Sequence, residues 1–304
     1  MKPVVRSTLS NSCISCMLDL LADFAVWIYM FNRKTIQARG GYRILKLAGR
    51  VLPKLRHYPV SFGASGIYYS DVQNPDTFWL LNAFVGDIHP SLPHLARLLS
   101  ARSKAGAIVW DIGGSMGLFT VEMLRAAPNV GAIHVFEPHP VPMRVAKALL
   151  TPINNVTLHS FALGDQAGTA TLRSENEGTG GSSLSPDKVG SRFIEVQVET
   201  GDALVKSARL PAPDIVKIDV EGFEPNVLRG MRETIALKQP VIALEILFMS
   251  KDQIREIIPP GYQIRYIRES DGELFASYEV ARSGGCMDAL LEPAWAYVNQ
   301  KNQM

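Results

Sequence analysis

From Ala107 onward the chain keeps a beat that few architectures accommodate. Residues 107–112, AIVWDI, form a short apolar run closed by an acid and an isoleucine, the pattern of a strand buried on both faces. Residues 118–126 have helical spacing, 132–137 are strand-like, 141–150 helical and 156–160 strand-like again. Strand, helix, strand, helix, strand with such short connections specifies parallel strands joined by right-handed crossovers, hence a three-layer α/β sheet. The beat pauses at 169–173 and 193–198, two strands around the polar stretch SENEGTGGSSLSPDKVGS, either a lid beside the sheet or an exposed hairpin tip. It resumes with a strand over 214–220, a helix over 224–231, a strand over 241–246, a helix over 251–257 and strands within 262–267 and 274–280.

The first 106 residues keep no such beat and carry the opposite charge. They hold thirteen Lys/Arg against five Asp/Glu, while the remainder holds eighteen against twenty-four. No acid occurs between Asp23 and Asp71, and Arg39, Arg43, Lys46, Arg50 and Lys54 recur at helical spacing. Leu45, Leu47, Ala48, Val51, Leu52 and Leu55 fall largely off that stripe, so the segment is either a solvated helix over a core or a surface that rests on an anionic membrane, polyanion or partner. Residues 14–31 are apolar enough to resemble a membrane span, but Asp19 and Asp23 lie inside it at ~3 kcal/mol each. Ile14, Leu18, Leu21, Ala25 and Ile28 line a face away from those acids, which makes an amphipathic helix the better reading. Residues 61–69 alternate weakly, Asn74-Pro75-Asp76 reads as a turn and 92–99 as a helix. The start of the chain does not read as a cleaved leader. Together these features predict a cytoplasmic protein, with peripheral membrane contact through residues 14–56 as one of the two readings of its basic segment. Cys13, Cys16 and Cys286 are too few and wrongly spaced for a zinc site or disulfide framework and are expected in the core.

The site is written at the strand ends. After Asp111 come Gly113-Gly114-Ser115-Met116-Gly117, which lack the central glycine that lets a backbone approach a diphosphate. An acid there also repels phosphate. It suits an amine, and S-adenosylmethionine carries an amine and no phosphate. Glu137, 26 residues after Asp111, ends the second strand where a carboxylate can accept from both ribose hydroxyls. A nicotinamide dehydrogenase is disfavoured on the same grounds.

At these residues the sequence resembles the FkbM-type methyltransferases, a branch of the class I S-adenosylmethionine-dependent enzymes. The blocks DIGGSMGLFT, VFEPHP, FALGDQAGTATL and DIVKIDVEGFEPNVLRG, followed by PVIALEI, carry the likeness. The family usually has D-I-G-A-N-x-G in the first block, so Gly114 and Ser115 depart from it; a serine hydroxyl can still cap the turn. The resemblance implies a Rossmann-like class I sheet behind a helical, basic N-terminal extension. It implies cofactor contacts from Asp111, Gly113, Gly114, Ser115, Gly117 and Glu137, and adenine recognition by the Ala162 backbone and the Asp165 side chain. It also implies O-methylation of a saccharide, glycolipid or polyketide-like metabolite.

A hydroxyl acceptor loses its proton as the new bond forms, and Asp219 and Glu221 stand at the carboxyl end of the fourth parallel strand, with Glu245 ending the next. Lys217 belongs to the same strand face and can orient a carboxylate. Two or three such carboxylates can also hold a divalent metal, though the spacing is not diagnostic. His134, His139 and His159 read as structural. No N/D-P-P-Y/F/W tetrapeptide follows the fourth strand and no aromatic–basic interleaving occurs, so no nucleic-acid partner is expected. The alternatives are a methyltransferase acting on a macromolecule and, from another class, a binding protein that keeps the fold without catalysis. The domain expectation is an extension over 1–106, a catalytic domain over 107–290 and a tail over 291–304. Oligomeric state is not legible.

Overall fold

The computed structural model describes residues 11–31, 41–61, 67–70, 72–73, 91–174, 182–187, 189–247, 249–268, 270–283 and 287–294. The turn expected at Asn74-Pro75-Asp76 lies outside them, as do Cys286, Arg39 and the side chain of Cys13. Two compact units divide the chain, residues 1–88 and 89–304.

In the first unit, helix α1 (Asn11–Phe31) and helix α2 (Gly41–Ala48) precede a 3₁₀ turn (Pro53–Arg56) and an antiparallel hairpin of β1 (Tyr58–Ser61) and β2 (Ile67–Ser70). Ala22, Val26 and Tyr29 of α1 join Leu45, Leu52, Leu55 and Val72 in a small core. The basic stripe does not continue as one helix to Lys54. Gly49 follows α2 so closely packed that a Cβ would stand 2.4 Å from Val72 Cγ2, and Pro53 then starts the 3₁₀ turn. Lys54 is thereby diverted to an ion pair with Asp23 at 2.7 Å. Cys16, expected in the core, is exposed on α1.

The second unit begins with helix α3 (Ser91–Ser100) and runs β3 (Ile108–Ile112), α4 (Leu118–Ala126), β4 (Ala132–Phe136), α5 (Pro140–Leu150) and β5 (Val156–His159). Then come β6 (Ala162–Leu163), β7 (Gly168–Ser174), β8 (Arg192–Glu199), α6 (Gly201–Lys206), β9 (Ile215–Ile218), α7 (Glu224–Gly230), α8 (Arg232–Lys238) and β10 (Val241–Glu245). The last elements are α9 (Lys251–Ile257), β11 (Tyr262–Ile267), β12 (Leu274–Phe275), α10 (Tyr278–Ser283) and β13 (Asp288–Pro293).

Eight strands form one sheet in the order β12-β11-β13-β10-β9-β3-β4-β5. The first strand of the beat, β3, is central, with β4 to one side and β9 to the other, both parallel to it. This is the α/β Rossmann-like class I architecture, and its switch point lies where the chain leaves β3, beside the tips of β4 and β9. Every residue of β9 is buried, as are four of the five in each of β3, β4 and β10, which is why these strands read as unbroken apolar runs.

Two sequence expectations fail at the far edge. Residues 274–280 contain a two-residue strand and the start of α10 rather than one strand, and the sheet gains β13, antiparallel between β10 and β11. That strand crosses the boundary expected at residue 290. Its Glu292 is buried between Arg102, at 2.6 Å, and Arg265, so a charge deep in the sheet is answered from both sides. The interruption forms a separate sheet, β6-β8-β7.

Candidate active site

The glycine loop is folded by close approach. Gly113 has φ 74° and a Cβ there would lie 1.8 Å from the Asp219 carbonyl oxygen, so the loop after β3 touches the turn after β9 through a position that tolerates no side chain. Gly117, at φ 86°, starts α4 against Leu150, which a Cβ would meet at 2.5 Å. Ser115 is also left-handed, at φ 48°, and donates its backbone N–H to Glu137 Oε2 at 2.9 Å. At Gly114 an added Cβ would stand 2.3 Å from Val135 Cγ1, so the loop lies against β4 at a position without room for a methyl group.

Asp111 is wholly enclosed. Its Oδ2 accepts from the Thr120 hydroxyl at 2.7 Å, and its Oδ1 lies 3.5 Å from Lys217 Nζ without a hydrogen bond. Burial raises its pKa against the opposing pull of Lys217 and Thr120. Glu137 is 7% exposed, and its Oε1 accepts from the His139 N–H at 2.7 Å. Burial pushes its pKa up to about 7, even though the N–H groups of His139 and Ser115 favour the carboxylate. His139 itself caps α5, its Nδ1 accepting from Val141 N at 3.1 Å ahead of Pro140 and Pro142.

Lys217 joins the two halves of the site. It donates to the Gly113 carbonyl at 3.0 Å and stands 3.2 Å from Asp219 Oδ2 and 3.5 Å from Asp111 Oδ1, over the Phe119 ring. Burial works against its charge, but Asp219 and Asp111 overcome that and hold its pKa above the ordinary lysine value.

Beyond it, Asp219, Glu221 and Glu245 each bring a carboxylate oxygen within 4.8 Å of the other two, a separation that a divalent cation can also bridge. All three are partly buried, the Asp219 side chain being 40% exposed. Glu245 Oε2 is buried without a hydrogen-bond partner. Burial first, then the charges of Asp219, Glu221, Glu224 and Asp288, push the Glu245 pKa to about 10, so it carries a proton at neutral pH. Glu221 sits at φ 58°, and its turn is fastened twice: Glu224 Oε1 accepts from Val220 N at 3.0 Å and Gly222 N at 3.2 Å, and the Ser183 hydroxyl donates to the Val220 carbonyl at 3.1 Å.

Ala162 and Asp165 are not drawn into this cluster. Ala162 is buried in β6 beside Val198, and Asp165 is 3.3 Å from Arg229 Nε. Partial burial works to raise the Asp165 pKa, but hydrogen bonds from Asn226 and Arg229 outweigh it and lower it. His159 stacks against both His134 and Phe136, the two histidines' ring nitrogens 3.1 Å apart, and burial first pushes the His159 pKa down to about 4. Thr120, Glu224 and Ser183 were not singled out from the sequence. Glu224 had a local signal, an acid in the first turn of a helix two residues after a glycine; Ser183 had none, since its partner lies 37 residues away.

Compared with known proteins, residues 111–271 match the model of the family described as Methyltransferase FkbM domain. The chain is 26% identical over 166 residues to the hexuronic acid methyltransferase AglP of Haloferax volcanii, covering 54% of this chain and 64% of that one. It is 29% identical over 146 residues to Methyltransferase 1 of Beauveria bassiana, covering 41% of this chain and 58% of that one. The chain thus spans less than two thirds of either relative. Among solved structures, it is similar to a methyltransferase FkbM from Methylobacillus flagellatus KT, at 16% identity and a TM-score of 0.45, covering 82% of this chain and 62% of that one.

Proposed function

The chain belongs to the Methyltransferase FkbM domain family, and on that footing we propose that it transfers a methyl group from S-adenosylmethionine to a hydroxyl oxygen of a saccharide, glycolipid or polyketide-like acceptor. One observation carries the reading: two carboxyl groups in contrasting environments, Asp219 beside the Lys217 cation and Glu245 with a buried Oε2 and a raised pKa, meet next to the glycine loop.

The donor set at the ends of β3 and β4 suits that cofactor. Each oxygen of Glu137 accepts one backbone N–H and retains a lone pair for a sugar hydroxyl. Asp111 Oδ1 has no hydrogen-bond partner of its own. Lys217, the cation beneath the loop, is committed to the Gly113 carbonyl and two carboxylates, an arrangement fit for an amine and a diol and ill suited to a diphosphate. In this reading Gly113, Gly114, Ser115 and Gly117 flank the amino-acid moiety, Glu137 the ribose, and Ala162 and Asp165 the base. S-adenosylmethionine, when bound, supplies a methyl group on an already electrophilic sulfonium.

The chain's own part is orientation and one proton. Asp219 accepts the acceptor's hydroxyl proton on a carboxylate oxygen, while protonated Glu245 donates a hydrogen bond that fixes the acceptor oxygen. Glu221 shapes the same rim. Lys217 answers the charge of Asp219, and Glu224 and Ser183 hold the turn that carries it.

The activity named for the Haloferax volcanii protein makes hexuronic acids the first acceptors to try, followed by neutral hexosides. The test incubates the full chain with methyl-labelled S-adenosylmethionine and each acceptor. Label on a sugar oxygen, lost in Asp219→Asn, is the expected result. Transfer that survives Asp219→Asn unchanged, or calorimetry showing no cofactor binding, would overturn the proposal.

A further inference from the structure

Helix α1 is apolar on two sides, and the first unit uses one of them. Ala22, Val26 and Tyr29 face its core, whereas Leu20, Leu21, Phe24, Trp27, Ile28 and Phe31 occupy the opposite arc and are exposed. Trp27, 58% exposed, is stacked between Phe24 and Phe31 with ring centroids at 5.9 and 5.5 Å. A row of aromatics at a surface is costly in water and favourable at a membrane interface.

A second exposed face, on α2, is both apolar and basic. Ile44, Leu47 and Val51 point outward, Ile44 at 73% exposure, and the exposed Arg43 and Arg50 lie on the same side of the helix and the turn after it. Leu45 and Leu52 meanwhile fill the core. Apolar side chains bordered by guanidinium groups, in a segment without a single acid between Asp23 and Asp71, complement a surface that is apolar within and anionic at its rim. Among the described residues no helix is long and apolar enough to cross a membrane.

We infer that the first unit docks on an anionic phospholipid membrane, with the exposed face of α2 and the aromatic row of α1 entering the headgroup region and Arg43 and Arg50 meeting lipid phosphates. A second copy of the chain is the weaker occupant, because pairing α2 with itself would set arginines against arginines.

The test is flotation of the full chain with vesicles of phosphatidylcholine alone and with phosphatidylglycerol added, and it needs no turnover, so it stands apart from the proposed methyl transfer. The protein should float with the anionic vesicles and be released by high salt. Arg43→Glu with Arg50→Glu should cut the floated fraction at least about tenfold. Leu47→Asp, and separately Trp27→Ser, should lower it too, with melting temperatures unchanged because all four side chains are exposed. Four outcomes would overturn the inference. These are equal recovery with neutral and anionic vesicles, indifference to the arginine reversals, full binding by Leu47→Asp (a polyanion contact by charge alone), or a lipid-free dimer that Trp27→Ser dissociates.

Discussion

The ends of β3 and β4 and the ends of β9 and β10 each present two carboxyl groups, and the two pairs are built for opposite ends. Asp111 and Glu137 are sealed in and supplied with donors: a threonine hydroxyl for one, two backbone N–H groups for the other. Asp219 and Glu245 are placed differently. Asp219 stands partly exposed beside Lys217, and Glu245 lacks a partner at Oε2 and meets four other acids. The first pair is a fixed acceptor surface; the second holds one partly exposed carboxylate and one protonated acid. Residue type alone does not distinguish the two pairs. Burial and neighbours do.

The largest effect should come from the residue both pairs share. Lys217→Met leaves Asp111 buried with no cation and takes the donor from the Gly113 carbonyl. Removing one partner of a buried pair costs about 3–5 kcal/mol. Urea denaturation should show a loss of that order, and cofactor affinity and turnover should fall together. Loss of turnover alone would mean that Lys217 serves only the β9 end.

Asp219→Asn tests the pair at β9 and β10 by itself. The side chain is partly exposed and isosteric, so stability and cofactor affinity should hold while kcat falls by roughly 10²- to 10⁴-fold, the range for loss of a positioned base. A change in cofactor affinity equal to that in kcat would erase the distinction between the pairs.

How much of this was legible in the sequence depends on how far apart the contributors lie. Asp111, Glu137 and Asp219 could be placed at strand ends because glycine or proline follows within three residues, and Glu245 because it closes an apolar run. The beat from residue 107 gave the parallel part of the sheet for the same reason. The antiparallel β13 was missed because its place between β10 and β11 comes from pairing and from Glu292 meeting Arg102, 190 residues away. Long-range contacts also enclose Asp111 and give Lys217 three partners. The aromatic face of α1 was hidden in a different way, because a helix apolar on two sides has no single stripe to read.

Glu137→Gln asks whether the first pair works as an anion. Its folded pKa of about 7 lies above the ordinary carboxylate value, so below pH 7 it gains a proton and loses acceptor capacity for the ribose. Cofactor affinity, measured by calorimetry, should strengthen as pH rises through 7 in the parent. The variant should bind about tenfold more weakly at pH 8, the cost of one charged hydrogen bond, with a flatter profile. A parent profile flat across that interval would place the ribose elsewhere.

The smallest expected effect cuts deepest into the comparison. Glu245→Gln replaces an acid that already carries its proton with a neutral group of the same shape, so turnover at neutral pH should stay within about threefold and the fold should not weaken. The sign of the pH dependence follows from the raised pKa. Between the unfolded value near 4.5 and about 10, the native protein holds a proton that the unfolded chain has released, so the parent loses stability as pH rises through that window. Glutamine has nothing to lose there. The two proteins should therefore melt together at pH 4, with the variant increasingly the more stable as the pH is raised to 9. A variant that is less stable, or that turns over a hundredfold more slowly, would mean that Glu245 works as a charged group, and that the acids at the ends of β9 and β10 are neutralised by something other than a proton.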